Sequence, residues 1–245
     1  MKTKIYTPLF IIILVLVACT KEKTVTRPVE FTSTTYESLG TYDNTGKPSY
    51  LLPKDQISSG LMSFISNTLP ERTDLRKTNP ELLTTKAIAD IALTQQSDIF
   101  VTFVSQGAGN TNAIAFYTYP TNAPPSSAKD IHVITYFFPH AGSGTPLQAG
   151  DKVKIGRFNA GTSIGFVLLQ NAWDNTTGKL NDKSVHFCSN DVLNPEVDPN
   201  LKKHAVLINY PPENKIIIGF EDEDRTTNGC DHDFNDAVLY ATVTP

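Results

Sequence analysis

The period of the apolar positions changes along this chain, and the changes mark out its elements. Residues 8–17 form an unbroken apolar run. From residue 20 to about 50 the pattern is polar, rich in Thr, Ser and charge as in Thr32-Ser33-Thr34-Thr35, which suits a flexible tether. Ile57, Leu61, Phe64 and Ile65 then recur at i, i+4, i+7 and i+8, the spacing of an amphipathic helix, with Asp55 as candidate N-cap and Pro70 beyond its end. Asn79-Pro80-Glu81 reads as a helix start, and residues 87–93 as a strand.

Beyond residue 95 the β signal dominates. The apolar runs 99–104 and 113–119 flank Gly107-Ala108-Gly109-Asn110 as the arms of a hairpin would. Further strands are expected at 131–138, 152–156, 163–170, 185–188, 205–210, 215–220 and 237–243, separated by segments rich in Gly, Pro and Asn. A parallel α/β sheet would lack its crossover helices. The expected class is all-β: an antiparallel β-sandwich or jelly roll with one short N-terminal helix.

Lys2 and Lys4 precede the first apolar run, which is too short to span a bilayer comfortably and has the layout of a signal peptide. Its end, Leu16-Val17-Ala18-Cys19, resembles the lipobox of bacterial lipoproteins. That resemblance implies removal of residues 1–18 and acylation of Cys19, with two or more chains making a stable membrane anchor. Thr20 rather than Asp after the cysteine favours the outer membrane by the same analogy. The expected location is the cell envelope, as an outer-membrane lipoprotein facing the periplasm or the surface. The organisation that follows is signal peptide 1–18, lipidated Cys19 with a tether to residue 50, and a β-sandwich domain over 51–245. There is no basic patch beyond pairs such as Lys202-Lys203, so nucleic acid is not an expected partner.

Charge alters this picture at one place. Glu221–Asp236 holds seven carboxylates and one cation, Arg225, a net −6. Without Lys2 and Lys4 the chain has nineteen basic and twenty-five acidic side chains, also −6, so the remainder is balanced. The segment lies between two expected strands and contains one large apolar residue, Phe234. Loops beyond about 12–15 residues without structure of their own are usually functional or disordered. Between two core strands, a bound cation would supply the order. Hard oxygen donors favour calcium, which takes 6–8 oxygens in forgiving geometry; His232 lacks a second histidine at zinc spacing. Asp231-x-Asp233-x-Asn235 imitates an EF-hand start, but Asp236 and Thr242 stand where that loop needs Gly and Glu. The candidate calcium ligands are Asp231, Asp233, Asn235 and Asp236, with Glu221, Asp222 and Asp224 closing the shell. The alternative is a solvated acidic turn.

In an oxidising compartment Cys188 and Cys230 can form a disulfide, which is expected here, or remain two buried thiols. Trp173, flanked by amides, is either a packing residue or a contact for a sugar ring. Gly161-Thr162-Ser163-Ile164-Gly165 matches a hydrolase nucleophile elbow, yet an expected strand follows it where the elbow needs a helix. Seven clustered carboxylates exceed what a glycosidase requires. The chain is not expected to be an enzyme.

Together, Gly219-Phe220-Glu221-Asp222 and Asp231-x-Asp233-Phe234-Asn235-Asp236 resemble the GFED…DxDFND motif of an uncharacterised bacterial surface-lipoprotein domain family, often found alongside LruC-type domains. The resemblance extends from Leu69-Pro70-Glu71 through Ala160–Gly165 and Leu193-Asn194-Pro195-Glu196 to the end. It implies an all-β, metal-binding, exported module with no established activity. Cys230 stands where the family has Ser, and Cys188 near a Tyr-like position, a paired departure consistent with a disulfide of this chain's own. The functional expectation is a lipid-anchored, calcium-stabilised binding module for a glycan or another surface component. The alternatives are a purely structural calcium-rigidified envelope or adhesin domain, and a metal-dependent hydrolase.

Overall fold

A computed structural model describes residues 26–84 and 89–245; the candidate signal peptide and Cys19 lie outside them. Two sheets face one another. The first runs β1 (Thr35–Ser38), β5 (Val133–Phe138), β4 (Ala113–Pro120), β7 (Thr162–Leu169), β10 (His186–Cys188), and the two-residue β2 (Ile91–Ala92) also pairs with β7. The second runs β11 (Ala205–Tyr210), β12 (Lys215–Phe220), β13 (Ala237–Thr244), β3 (Ser97–Ser105), β6 (Lys152–Phe158). A small hairpin, β8 (Trp173–Asp174) with β9 (Lys179–Leu180), stands apart. Strand pairing is antiparallel apart from β1, which joins β5 in parallel. The expected all-β sandwich is what the described residues form, with α1 (Ser59–Thr68) as their longest helix and a four-residue helical turn at Leu75–Thr78. No described helix is long and apolar enough to cross a membrane.

Alternation along each strand builds three apolar layers from two sheets. Between the sheets pack Phe116, Phe137, Phe166 and Phe187 from the first and Val101, Phe103, Leu207, Ile218 and Phe220 from the second. On the outer face of the second sheet, Val206, Ile217, Val238 and Tyr240 meet Leu61 and Ile65 of α1 (Ser59–Thr68). The outer face of the first sheet carries Ala115, Tyr117, Ile134, Val167 and Cys188. β12 therefore buries side chains on both faces, which is why its apolar run is unbroken rather than alternating.

Three expectations need correction. The runs 99–104 and 113–119 are not a hairpin: β3 pairs with β13 and β6, while β4 pairs with β5 and β7 in the opposite sheet. Gly107–Asn110 thus belongs to a crossing between sheets. Asp55 does not cap α1. Ser58 does, its Oγ accepting from the Leu61 N–H at 3.0 Å, whereas Asp55 accepts from Thr102, Tyr240 and Lys152. Nor is 26–50 a free tether. Arg27 N–H donates to the Pro195 carbonyl, Phe31 stacks on His186 with centroids 4.3 Å apart, and β1 extends the first sheet.

Candidate metal centre

The acidic segment is the connection between β12 and β13, closed where Phe220 pairs with Ala237 and Asp236 N–H donates to the Phe220 carbonyl at 3.0 Å. Immediately inside this neck, Asp222 N–H donates to Asp236 Oδ2 at 2.8 Å. Gly219 beside it cannot carry a side chain: a Cβ would lie 2.4 Å from the Phe234 carbonyl oxygen. Phe234, fully buried, is the loop's apolar anchor and packs with Leu69 and Leu75 against the second sheet.

The remainder of the loop is held by polar contacts. Glu221 is fixed through its backbone from two directions, its N–H donating to the His204 carbonyl and its own carbonyl accepting from His204 Nδ1, each at 2.9 Å. His204 is itself fixed by Glu196 Oε1, 2.7 Å from Nε2, and by stacking on Phe187 at 3.9 Å between centroids. Arg225, the loop's one cation, is buried over Phe234, donating from Nη1 to the Lys203 carbonyl and from Nε to His232 Nδ1. Asp233 Oδ2 accepts from Arg72 N–H at 2.7 Å and Oδ1 from Asn235 N–H at 3.0 Å. Among the described residues, three of the five non-glycine positions with positive φ (Arg72, His232 and Phe234) adjoin Asp233, so backbone strain is concentrated here.

This scaffold gathers Glu221, Asp233 and Asp236, each offering a carboxylate oxygen within 4.8 Å of the others. Glu221 and Asp233 are only 1% and 2% exposed. Burial is the largest cause raising the proton affinity of all three carboxylates, and nearby acidic groups add to it. Asp233 is pushed up to about 6, and Glu221 and Asp236 rise above the carboxylate range as well. Glu221 Oε2 is buried without any hydrogen-bond partner among the described residues. An orphaned carboxylate oxygen beside two other hard donors fits a divalent, oxygen-seeking cation.

Of the other sequence candidates, the carboxylates Asp222, Asp224 and Asp231 do not join this group. Asp222 turns to Asn112 Nδ2, and its carbonyl accepts from Gln170 Nε2 at 2.7 Å. Asp224 Oδ1 folds back onto Thr226, accepting from its N–H and its hydroxyl. Asp231 is exposed. Asn235 directs its amide towards the Leu69 carbonyl.

Cys188 and Cys230 are both free thiols rather than a disulfide. Strand alternation explains the failure. In β10 Phe187 enters the layer between the sheets, so Cys188 faces the opposite side. Cys230 stays in the loop, its sulfur 3.2 Å from His232 Nδ1. Trp173 is 2% exposed, stacked on His140 with centroids 5.5 Å apart and edge-on to Tyr42, so it packs rather than meeting a sugar. Ser163 lies within β7, its hydroxyl bonded to Thr121.

Sequence reasoning missed the wall opposite the loop. The crossing after β3 supplies Gly107 N–H to the Asp236 carbonyl, Asn110 to Glu223 and Asn112 to Asp222. Its glycines and amides were visible, but they signal close backbone approach rather than a hairpin turn. A Cβ on Gly107 would sit 2.7 Å from Asn235 Oδ1.

Comparison with known families finds a domain of unknown function (DUF4114) at residues 158–244. The match takes in β7 to β13 and the whole acidic loop, in line with the expected uncharacterised family, and leaves the earlier strands outside it. No curated protein matches the chain. No solved structure matches it.

Proposed function

We propose that this chain is a lipid-anchored cell-envelope binding module in which calcium is the structural cofactor of the β12–β13 loop. The observation that carries the reading is the convergence of Glu221, Asp233 and Asp236, with Glu221 Oε2 buried and unpartnered among the described residues. Calcium held there would offset three crowded negative charges that are otherwise relieved only by protonation. The near-complete burial of Glu221 and Asp233 supports an ion that pins the loop rather than one that meets a substrate. Asp222, Asp231 and Asn235 remain available as outer or rearranged ligands, since calcium accepts 6–8 oxygens.

The lipid anchor rests on the lipobox resemblance at Cys19, and the exported setting on the signal-like first eighteen residues. With Trp173 buried, glycan recognition loses its aromatic candidate, and the partner surface must lie elsewhere.

The test is a melting curve in calcium against one in chelator, with metal analysis of the purified protein. An ion at 100-fold its dissociation constant stabilises by about 2.7 kcal/mol, and a chain of this size moves about 2–4 °C per kcal/mol. A rise of roughly 5–10 °C is expected. Identical curves and no retained calcium would sink the metal reading.

A further inference from the structure

A cleft of about 760 Å³ opens between the first residues of the fold and β10, the edge strand of the first sheet. None of Glu221, Asp233 and Asp236 lines it. Its walls are apolar, formed by Pro28, Val29, Phe31, Tyr36, Val185 and Phe187. Small-molecule sites are typically about 300–1,000 Å³, mostly apolar, with a few polar groups that fix orientation. Val185 is 46% exposed although it is apolar.

The charged groups at this cleft are mostly acidic. Glu30, Asp182 and Asp224 line it against a single ammonium, Lys183. None of these three carboxylates has an ion-pair partner among the described residues. Asp182 Oδ1 accepts from the Tyr136 hydroxyl and Asp224 Oδ1 from Thr226, which orients both groups and leaves the second oxygen of each unengaged. His186, also in the lining, adds no positive charge. Its Nδ1 donates to the Ser184 carbonyl and its Nε2 accepts from the Tyr36 hydroxyl, and burial pushes its pKa down to about 4.

We infer that this cleft binds an amphipathic organic cation, its apolar body against Phe31, Tyr36 and Val185 and its ammonium facing Asp182 and Asp224. Aromatic rings and carboxylates attract an alkylammonium together, the first through the ring quadrupole and the second by charge. An anionic ligand of the same shape is repelled. The inference gives a site to the binding module proposed above and does not depend on the metal.

Three probes with one body and different heads test it by calorimetry on the full chain: 3-phenylpropyl-trimethylammonium, 3-phenylpropanol and 3-phenylpropanesulfonate. The cation is expected to bind at least tenfold more tightly than the sulfonate, and less tightly as salt is raised. Val185→Arg, at an exposed position, should lower its affinity at least tenfold while leaving the melting temperature in place. Asp182→Asn with Asp224→Asn should bring the cation down to the level of the alcohol. Equal binding of cation and sulfonate, or unchanged affinity in Val185→Arg, overturns the inference. So does the absence of saturable binding by any probe, as when the chain's own residues fill the cleft. Titrations in calcium and in chelator keep this outcome separate from failure of the metal reading, which shows in the melting curves.

Discussion

At the scale of the residue, protonation and the proposed calcium would compete for the same oxygens. A carboxylate whose pKa is higher folded than unfolded favours folding below its unfolded value, near 4, and that contribution is lost as pH rises through the folded value. Asp233 shifts up to about 6, and Glu221 and Asp236 shift in the same direction. In chelator, therefore, the melting temperature should fall as pH rises from about 4 through 6 and beyond. In calcium the trend should reverse, because ion binding needs the deprotonated carboxylates and strengthens with pH. A pH series of melting curves under both conditions checks the opposite slopes. Asp236→Asn removes one of the crowded charges but keeps an oxygen that can accept from Asp222 N–H. It should raise the melting temperature in chelator and abolish most of the calcium increment. A variant that retains the full increment would remove Asp236 from the ligand set.

At the scale of the element, the loop is fixed at its neck. Gly219→Ala places a methyl group against the Phe234 carbonyl and the Leu69 side chain, which a paired central strand cannot relieve by sliding. Overpacking of this kind costs about 1–3 kcal/mol; chemical denaturation of the calcium-loaded variant measures it. How far such elements could be read in the sequence depended on what their side chains meet. β11 and β12 were legible to the residue because both are filled with β-branched or aliphatic side chains between clear turn signals. Gly107–Asn110 was misread because glycine marks both a tight turn and a close approach, and only the partner strand distinguishes them. Phe31 and Tyr36 stand alone in a polar stretch, so no period revealed β1 or the stack on His186. The acidic loop raised the expectation of a cation by its charge. Which three of its carboxylates converge was hidden, because Arg72, His204 and Asn112, from distant parts of the chain, direct them.

At the scale of the whole molecule, the matched family segment does not contain a complete sandwich. Residues 158–244 contain β7 and β10 of the first sheet and β11 to β13 of the second. They lack β4, which pairs with β7, β5, which pairs with β4, and β3, which pairs with β13 along most of its length. Phe103, Phe116 and Phe137 would be missing from the layer between the sheets, and Asn110 and Asn112 from the wall of the acidic loop. The isolated segment is expected to be unfolded by near-ultraviolet circular dichroism, with or without calcium. A cooperative melt would show that the earlier strands are dispensable.

The early start of the fold has a mechanical consequence. Any pull transmitted from the N-terminal side reaches first the contacts of Arg27 and Phe31, and then β1, four residues with a single neighbouring strand. An edge strand of that length peels one bond at a time, whereas the central strands β7 and β13 are clasped on both sides. Tension would detach the wall that Pro28–Thr32 gives the cleft while the sandwich and its acidic loop stayed intact. The same short segment that walls the cleft would then act as a fuse, emptying it before the body of the protein yields.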